Sequence, residues 1–484
     1  MMRKNRGPNV FDLFTLGFGS IIGVGWSVTL NNIIGAGGGP ISASTGFILA
    51  AVVMLPIALC YAELTPMMPV AGGSVAYAYQ AFGSKISYIT GWLLALVYVS
   101  ILPWEAIAVN EIVSFIFPSL KTGPLLYTVA GTNIYLNSLL VGLGLSLLII
   151  TINWLGAKVA MRFQALLTIL LIIAIALCVA FALGKADPTN MKPVYAAISG
   201  KSHTSFITGL ISIFSIAPFY FIGFDTIPQG VEDAEIQVKP KAMGLVIVGA
   251  VLFAGMTYVL IIISAGLAYP WQQILGTDRP VLANVLRLVY KGGLGEVLFW
   301  MNLLGTLAGL LTTWNGFYIA GSRLFLGMGR AKLLPEIFAK RHPRTQTPIG
   351  GSLLCAIIMC CGPFMGIGLI DALTILASSG CVVTWMITCA SAFRLRNKLP
   401  DINRPFRMPY GKVIAVIGLV CYGLMFLNCI VPSLPGYMGS TGIKMLIGWI
   451  ILGALLYAVS SKNRCSISEG ERSQRIMSPD IEKD

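Results

Sequence analysis

Gly19-Ser20-Ile21-Ile22-Gly23-Val24-Gly25 interrupts an apolar run that extends over residues 11–35. The glycines sit in the middle of that run, where they loosen a helix and bare its backbone. A second apolar run, residues 206–230, is interrupted in the same way by Pro218-Phe219-Tyr220-Phe221-Ile222-Gly223-Phe224-Asp225. A bilayer core offers no water to unpaired backbone groups, so a non-helical break survives there only where it lines a cavity. Broken segments in matching places, about 200 residues apart, point to a secondary transporter built from inverted repeats.

Composition places the rest of the chain in lipid. Apolar residues make up 56% of 484 positions and charged residues 11%, with a mean hydropathy of +0.82. Soluble proteins carry about 25% charge. A helix needs about 20 apolar residues to cross a bilayer. Besides the two broken runs, ten stretches are read as spans: 44–64, 86–117, 137–154, 163–183, 243–268, 297–325, 349–365, 372–393, 413–431 and 443–460. Together they describe an all-α polytopic membrane protein with twelve transmembrane helices. The first apolar run reaches spanning length without a small-residue cleavage site, so no cleaved signal peptide is expected. The cysteines fall mostly inside apolar segments and lack metal-ligand spacing, as small packing residues do.

A net charge of +14 resembles a nucleic-acid signal, but the placement of the charges points elsewhere. With the N-terminus cytoplasmic, 25 of the 33 Lys and Arg fall in cytoplasmic tails and loops, chiefly 323–344 and 394–412. This is the positive-inside bias. It orients a multi-pass protein in the cytoplasmic (plasma) membrane with both termini cytoplasmic, in contact with lipid, and calls for no nucleic-acid partner. Matching the first run to the sixth divides the chain into a tail at 1–10, a first repeat at 11–205 with helices 1–5 and a second repeat at 206–394 with helices 6–10. Five crossings per repeat force the two into opposite orientation. Two peripheral helices follow in 395–460, and the polar tail 461–484 is expected to be disordered.

The breaks suggest their own chemistry. An unwound half-helix start presents free N–H groups and a positive dipole end to an anion such as a carboxylate. At the first break Gly23 and Gly25 bare such groups, and Ile22, Val24 and Trp26 beside them are further substrate-binding candidates, Trp26 as a residue that shapes the pocket. Freed carbonyls, for example those of Gly19 and Ile22, can take a cation or an amine. The second break adds Gly223, with Phe219, Tyr220 and Phe221 as large lids. A zwitterion suits such a site.

These motifs resemble the amino acid–polyamine–organocation transporters. The resemblance rests on Gly19–Gly25, Tyr61-Ala62-Glu63-Leu64, Pro69-Val70-Ala71-Gly72-Gly73 and Phe221-Ile222-Gly223-Phe224-Asp225 with Glu232. Ser322-Arg323, Leu334-Pro335 and Thr347-Pro348 extend it to the ninth helix. It implies a five-plus-five inverted-repeat, LeuT-like fold with helices 1 and 6 broken, and alternating access for amino acids or related amines, by ion-coupled symport or by exchange. It also implies that the substrate's carboxylate and amine are held at Ile22–Gly25 and Phe219–Gly223. Members commonly continue the first break as Gly-Ile-Phe, where this chain has Gly25-Trp26-Ser27. Many also carry a hydroxyl residue at the position of Val24, so here only backbone donors remain.

No cofactor is expected beyond a coupling ion, Na⁺ or H⁺. Some proton-coupled relatives carry a lysine midway along helix 5, which this chain lacks. Gly309, Thr312 and Thr313 share one face of helix 8 and, with the Gly19 and Ile22 carbonyls, form a candidate sodium set of hard oxygen ligands. The competing reading has both hydroxyls bonded to their own helix. Acidic groups at mid-membrane are costly, roughly 2.5–3.5 kcal/mol on insertion scales. Glu105, near the middle of helix 3, and Asp225, just past the second break, are therefore candidates for coupling, and Glu105 also for holding a substrate amine. The two histidines, His203 and His342, lie in predicted loops, and no nucleophile–base motif marks an enzyme. A polyamine or amine exchanger, or a transport-inactive relative acting as sensor or scaffold, are the alternatives.

Overall fold

The computed structural model describes residues 8–198, 204–233, 238–434 and 437–477; His203 lies outside them. The first half opens with α1 (Val10–Ile22), α2 (Gly25–Val28), α3 (Leu30–Gly37), α4 (Pro40–Met67), α5 (Ser74–Phe82) and α6 (Ser84–Ile116). An antiparallel hairpin, β1 (Leu125–Val129) and β2 (Thr132–Tyr135), precedes α7 (Leu136–Trp154) and α8 (Ala157–Leu183). The second half comprises α9 (Phe206–Ile216), α10 (Thr226–Gly230), α11 (Pro240–Ala268), α12 (Trp271–Ile274), α13 (Val281–Val289) and α14 (Gly293–Arg330). Then follow α15 (Ile349–Cys361), α16 (Ile370–Lys398), α17 (Gly411–Ile430) and α18 (Gly439–Val459). Eleven helical stretches among the described residues are long and apolar enough to cross a membrane, and Ile349–Phe364 is a shorter apolar helix. The protein is thus an all-α, multi-pass membrane protein.

Local chemistry fixes where the broken helices begin. Asn9 Oδ1 accepts the N–H groups of Phe11 and Asp12 at 2.8 and 3.1 Å, and Asp12 Oδ2 accepts Asn9 N–H at 2.9 Å. This reciprocal cap starts α1. Ser205 and Thr208 build the same device at the start of α9. Once inside, α1 packs against α8, α11 and α14, while α6 packs against α14 and α16. By contrast, α17 and α18 bury little of their apolar surface and present it outward, as lipid-facing helices do.

Charge collects at one end of the bundle. Arg323 pairs with Asp233 at 2.5 Å and Arg330 with Glu232 at 2.8 Å, and Arg341 bridges both acids. Glu232 Oε2 also accepts Ala71 N–H at 2.6 Å, and Gln229 Oε1 accepts Gly72 N–H at 3.0 Å. These bonds hold the turn between α4 and α5 on residues 229–232, which Arg330 in turn ties to α14. Nearby, Glu63, buried in α4, is clamped by Arg396 and Arg404. A buried carboxylate is tolerable when paired and hydrogen-bonded in this way.

The tail departs from expectation. Instead of disorder, residues 461–477 contain α19 (Ser461–Cys465) and α20 (Glu469–Met477). The reason is docking that no local sequence signal reveals. Arg472 is 3% exposed; its guanidinium donates to Ala331 O at 3.0 Å, bonds Arg464 O and pairs with Glu469. The Tyr79 hydroxyl reaches the carbonyl and the carboxylate of Glu469, each at 2.7 Å, and Gln80 Nε2 donates to Ser473 Oγ at 3.0 Å. Burial raises the Glu469 carboxyl, but Tyr79 and Arg472 outweigh it and hold the group below its usual range.

Arg472→Ala is expected to undock this segment. Loss of hydrogen bonds to a charged group costs about 1.5–3 kcal/mol, so trypsin should cut at Lys462 or Arg464 in folded protein about tenfold faster or more. Because Glu469 is depressed when docked, its contribution is present at neutral pH and fades as the pH falls through the lowered value. Unchanged cleavage of the variant would show that the segment is not held by Arg472.

Candidate functional site

Both breaks exist, and they meet. α1 ends at Ile22; Gly23 takes φ +50° and ψ −135°, and α2 starts at Gly25 with no side chain capping it. In the second half, α9 runs into a 3₁₀ turn at Ala217–Phe221, Gly223 takes φ +130°, and α10 starts at Thr226. These left-handed backbone angles favour glycine. A Cβ on Gly223 would lie 2.6 Å from the Ser20 carbonyl carbon, so the two breaks touch backbone to backbone. Thr226 Oγ1 donates to Gly223 O at 2.6 Å, and Gly223 N–H donates to Asp225 Oδ1 at 3.2 Å.

Neighbouring helices satisfy the carbonyls that α1 releases. The Tyr258 hydroxyl, from α11, donates to Ile22 O at 3.1 Å. On α14, Thr312 Oγ1 lies 3.0 Å from Gly19 O and 2.7 Å from Gly309 O, and Thr313 Oγ1 lies 3.2 and 3.0 Å from the same two oxygens. The five residues of the proposed sodium set are therefore close together. Their carbonyls, however, face hydroxyl donors, and both threonines also bond their own helix at Gly309. Gly309 packs so tightly that a Cβ there would sit 2.1 Å from Gly23 O.

Beside the breaks lies a cavity of about 1190 Å³. Val24, Val28 and Thr29 form one wall, Phe219 and Tyr220 another, Trp104 and Ala108 a third, and Ser378 with Val382 of α16 a fourth. Its charged lining residues, Glu111, Lys121, Arg279 and Asp371, belong to the outer ends of their helices or to loops. Glu111 and Lys121 pair at 2.8 Å. The Arg323, Arg330 and Arg341 ion pairs lie at the far end of α14.

The predicted residues divide between the cavity wall and the layer behind it. Val24, Phe219 and Tyr220 line the cavity. Ile22, Gly23, Gly25 and Gly223 form its backbone support; Gly25 backs directly onto the Tyr220 ring. Trp26 is fully buried against Gly305, away from the cavity, and its indole N–H has no partner. Phe221 is buried beside Gly255 of α11. Glu105 is buried and does not line the cavity, although its neighbours Trp104 and Ala108 do; its Oε2 lacks a partner. Asp225 is fully buried, and among the described residues its Oδ2, like the Trp26 indole N–H and Glu105 Oε2, has no hydrogen-bond partner. Tyr61 and Tyr98 lie within electrostatic reach of it.

Three residues that sequence reasoning passed over matter here. Tyr258 sits mid-helix with no motif to flag it. Trp104 and Thr374 both line the cavity, and neither belongs to a motif.

The amino acid permease family matches residues 9–456. A methylthioribose transporter of Bacillus subtilis is 27% identical over 477 residues, covering 95% of this chain and 94% of the relative. A branched-chain amino acid permease from the same organism is 26% identical over 475 residues, with 95% and 94% covered. Its aspartate–proton symporter is 24% identical over 463 residues, with 94% and 83% covered. With the family model spanning both breaks and nearly every helix, this chain belongs to the amino acid permease family of the amino acid–polyamine–organocation superfamily, whose members are transporters and not enzymes.

Proposed function

We propose that this permease carries a neutral amino acid, or a closely related solute, across the cytoplasmic membrane by alternating access. The observation that supports this most is the junction of two helix breaks beside a cavity whose charges are confined to its outer lining. The substrate's carboxylate lies against the uncapped start of α2, where the first N–H groups have no side-chain partner and the dipole favours an anion. Its amine takes carbonyls of the second break, between Phe219 and Gly223. Its side chain lies among Val24, Val28, Trp104 and Val382, surroundings that favour an uncharged group over a cation, and hence an amino acid over a polyamine.

The chain crosses twelve times, with Ile349–Phe364 as the ninth span and both termini cytoplasmic, in two inverted five-helix repeats. On that orientation the ion-pair end is cytoplasmic and shut, and the cavity faces outward. Alternation then requires Arg323, Arg330 and Arg341 to part from Glu232 and Asp233.

Coupling is assigned to a proton. The Gly19, Ile22 and Gly309 oxygens already accept hydroxyl protons, which a sodium ion would have to turn away. Asp225 instead offers a sealed carboxyl oxygen without a partner, and a proton there removes a charge that is expensive at mid-membrane. Glu105, the second sealed carboxyl, is the other candidate carrier. A relative named as an aspartate–proton symporter is consistent with this choice.

Gly23→Val should lower uptake in proteoliposomes sharply while leaving the protein folded. The backbone angle there resists a β-branched residue, and a Cβ would meet Thr313 Oγ1 at 2.9 Å; strain of about 1–3 kcal/mol corresponds to a loss of about 5- to 150-fold. Parent-like uptake would remove the break from the site.

Asp225→Asn should retain exchange of internal for external amino acid but lose accumulation driven by an imposed pH gradient. Replacing sodium with choline should leave the parent's uptake unchanged. Sodium-dependent uptake, or pH-driven accumulation by the Asn variant, would contradict the assignment to Asp225.

A further inference from the structure

Trp104 projects from α6 into the cavity on the same face as Ala108 and Ile112, one and two turns on. Its indole is pinned. Nε1 donates to Thr374 Oγ1 at 3.0 Å, while the Thr374 hydroxyl donates its own proton to Ile370 O at 2.8 Å. A hydroxyl whose proton is committed can only accept, and an indole nitrogen can only donate, so the direction of the bond is fixed. α16 therefore dictates how the ring stands.

On its other side the ring meets Phe219, with centroids 6.3 Å apart. Phe219 stands edge-on to Tyr220 at 5.7 Å, and Tyr220 edge-on to Tyr258 at 5.5 Å. A row of four rings thus runs from α6 through the second break to α11. Ser378 and Val382, one and two turns along α16 from Thr374, continue the cavity wall. A side chain reaching from the first break, past Val24 and Val28, has the indole as its boundary.

We propose that Trp104 sets the upper size limit of the substrate's side chain and that Thr374 is the residue that positions it. This rests on the cavity being the amino acid site. A rigid wall discriminates by about 10- to 200-fold per methylene group, but only while the wall stays put. Thr374→Val keeps the shape of the side chain and removes the acceptor, leaving the indole N–H unpaired and the ring free to turn aside.

The test is a ratio, measured on the full-length protein with L-alanine, L-leucine and L-tryptophan as probes. Binding is read from thermal stabilisation in detergent, and transport from competition uptake in proteoliposomes. Trp104→Ala should shift preference toward tryptophan over alanine by about tenfold or more, with Trp104→Phe shifting the same way should the Ala variant not fold. Thr374→Val should move the ratio in the same direction, and Thr374→Ser, which keeps the acceptor, should restore the parent's ratio. A general structural role would lower all three affinities together and leave their ratio unmoved. An unmoved ratio in the Trp104 variants overturns the size limit, and failure of Thr374→Ser to restore it overturns the positioning role. If the parent binds none of the three probes, the reading of the cavity falls and takes this proposal with it; if the parent binds and the ratio holds, only this proposal fails.

Discussion

Hydrocarbon supplies no hydrogen bonds, so a helix that stops inside a membrane must find partners in the protein. In this permease that requirement organises everything near the site. The carbonyls of Gly19 and Ile22, released where α1 stops, are met by Thr312, Thr313 and Tyr258 from two other helices. The backbone of the second break is met by Asp225 and Thr226 from its own continuation. The glycines follow from the same constraint. Only residues without Cβ let Gly223 lie on Ser20 and Gly309 lie on Gly23, and that closeness brings the hydroxyls within reach. Breaks, glycines and threonines form one device.

A second constraint acts at the ion-pair end. Two carboxylates, Glu232 and Asp233, pair with three guanidiniums, Arg323, Arg330 and Arg341, where the helices converge. Buried pairs of this kind contribute little net stability but are costly to break singly. They therefore make this arrangement of the helix ends distinct rather than merely tight. The docked tail lies on the same end, bonded to α5 through Tyr79 and Gln80 and to the turn after α14 through Arg472. It thus ties together α5 and the end of α14.

The run of apolar helices was readable from sequence, and direction around each helix was not. Hydropathy located the spans, and Gly23 and Gly223 marked the breaks, because both signals are local. Glu105 shows the limit. Its place near the middle of a long apolar helix was readable, but one residue is about 100° of helix turn, so Trp104 lines the cavity while Glu105 is buried and does not. Trp26 illustrates the same point: it follows the break in sequence yet turns toward Gly305. The tail escaped notice for a different reason. Its composition is polar, and what orders it is the Ala331 carbonyl and the Tyr79 and Gln80 side chains, which only the assembled fold presents.

The central claim is that substrate binds at the junction of the two breaks, and an experimental structure with a saturating neutral amino acid tests it most directly. The account predicts ligand density beside Val24, Phe219 and Tyr220, with the carboxylate within hydrogen-bond distance of the N–H groups at the start of α2. Density confined to the cavity mouth beside Glu111, Lys121, Arg279 and Asp371, with the breaks empty, would contradict it.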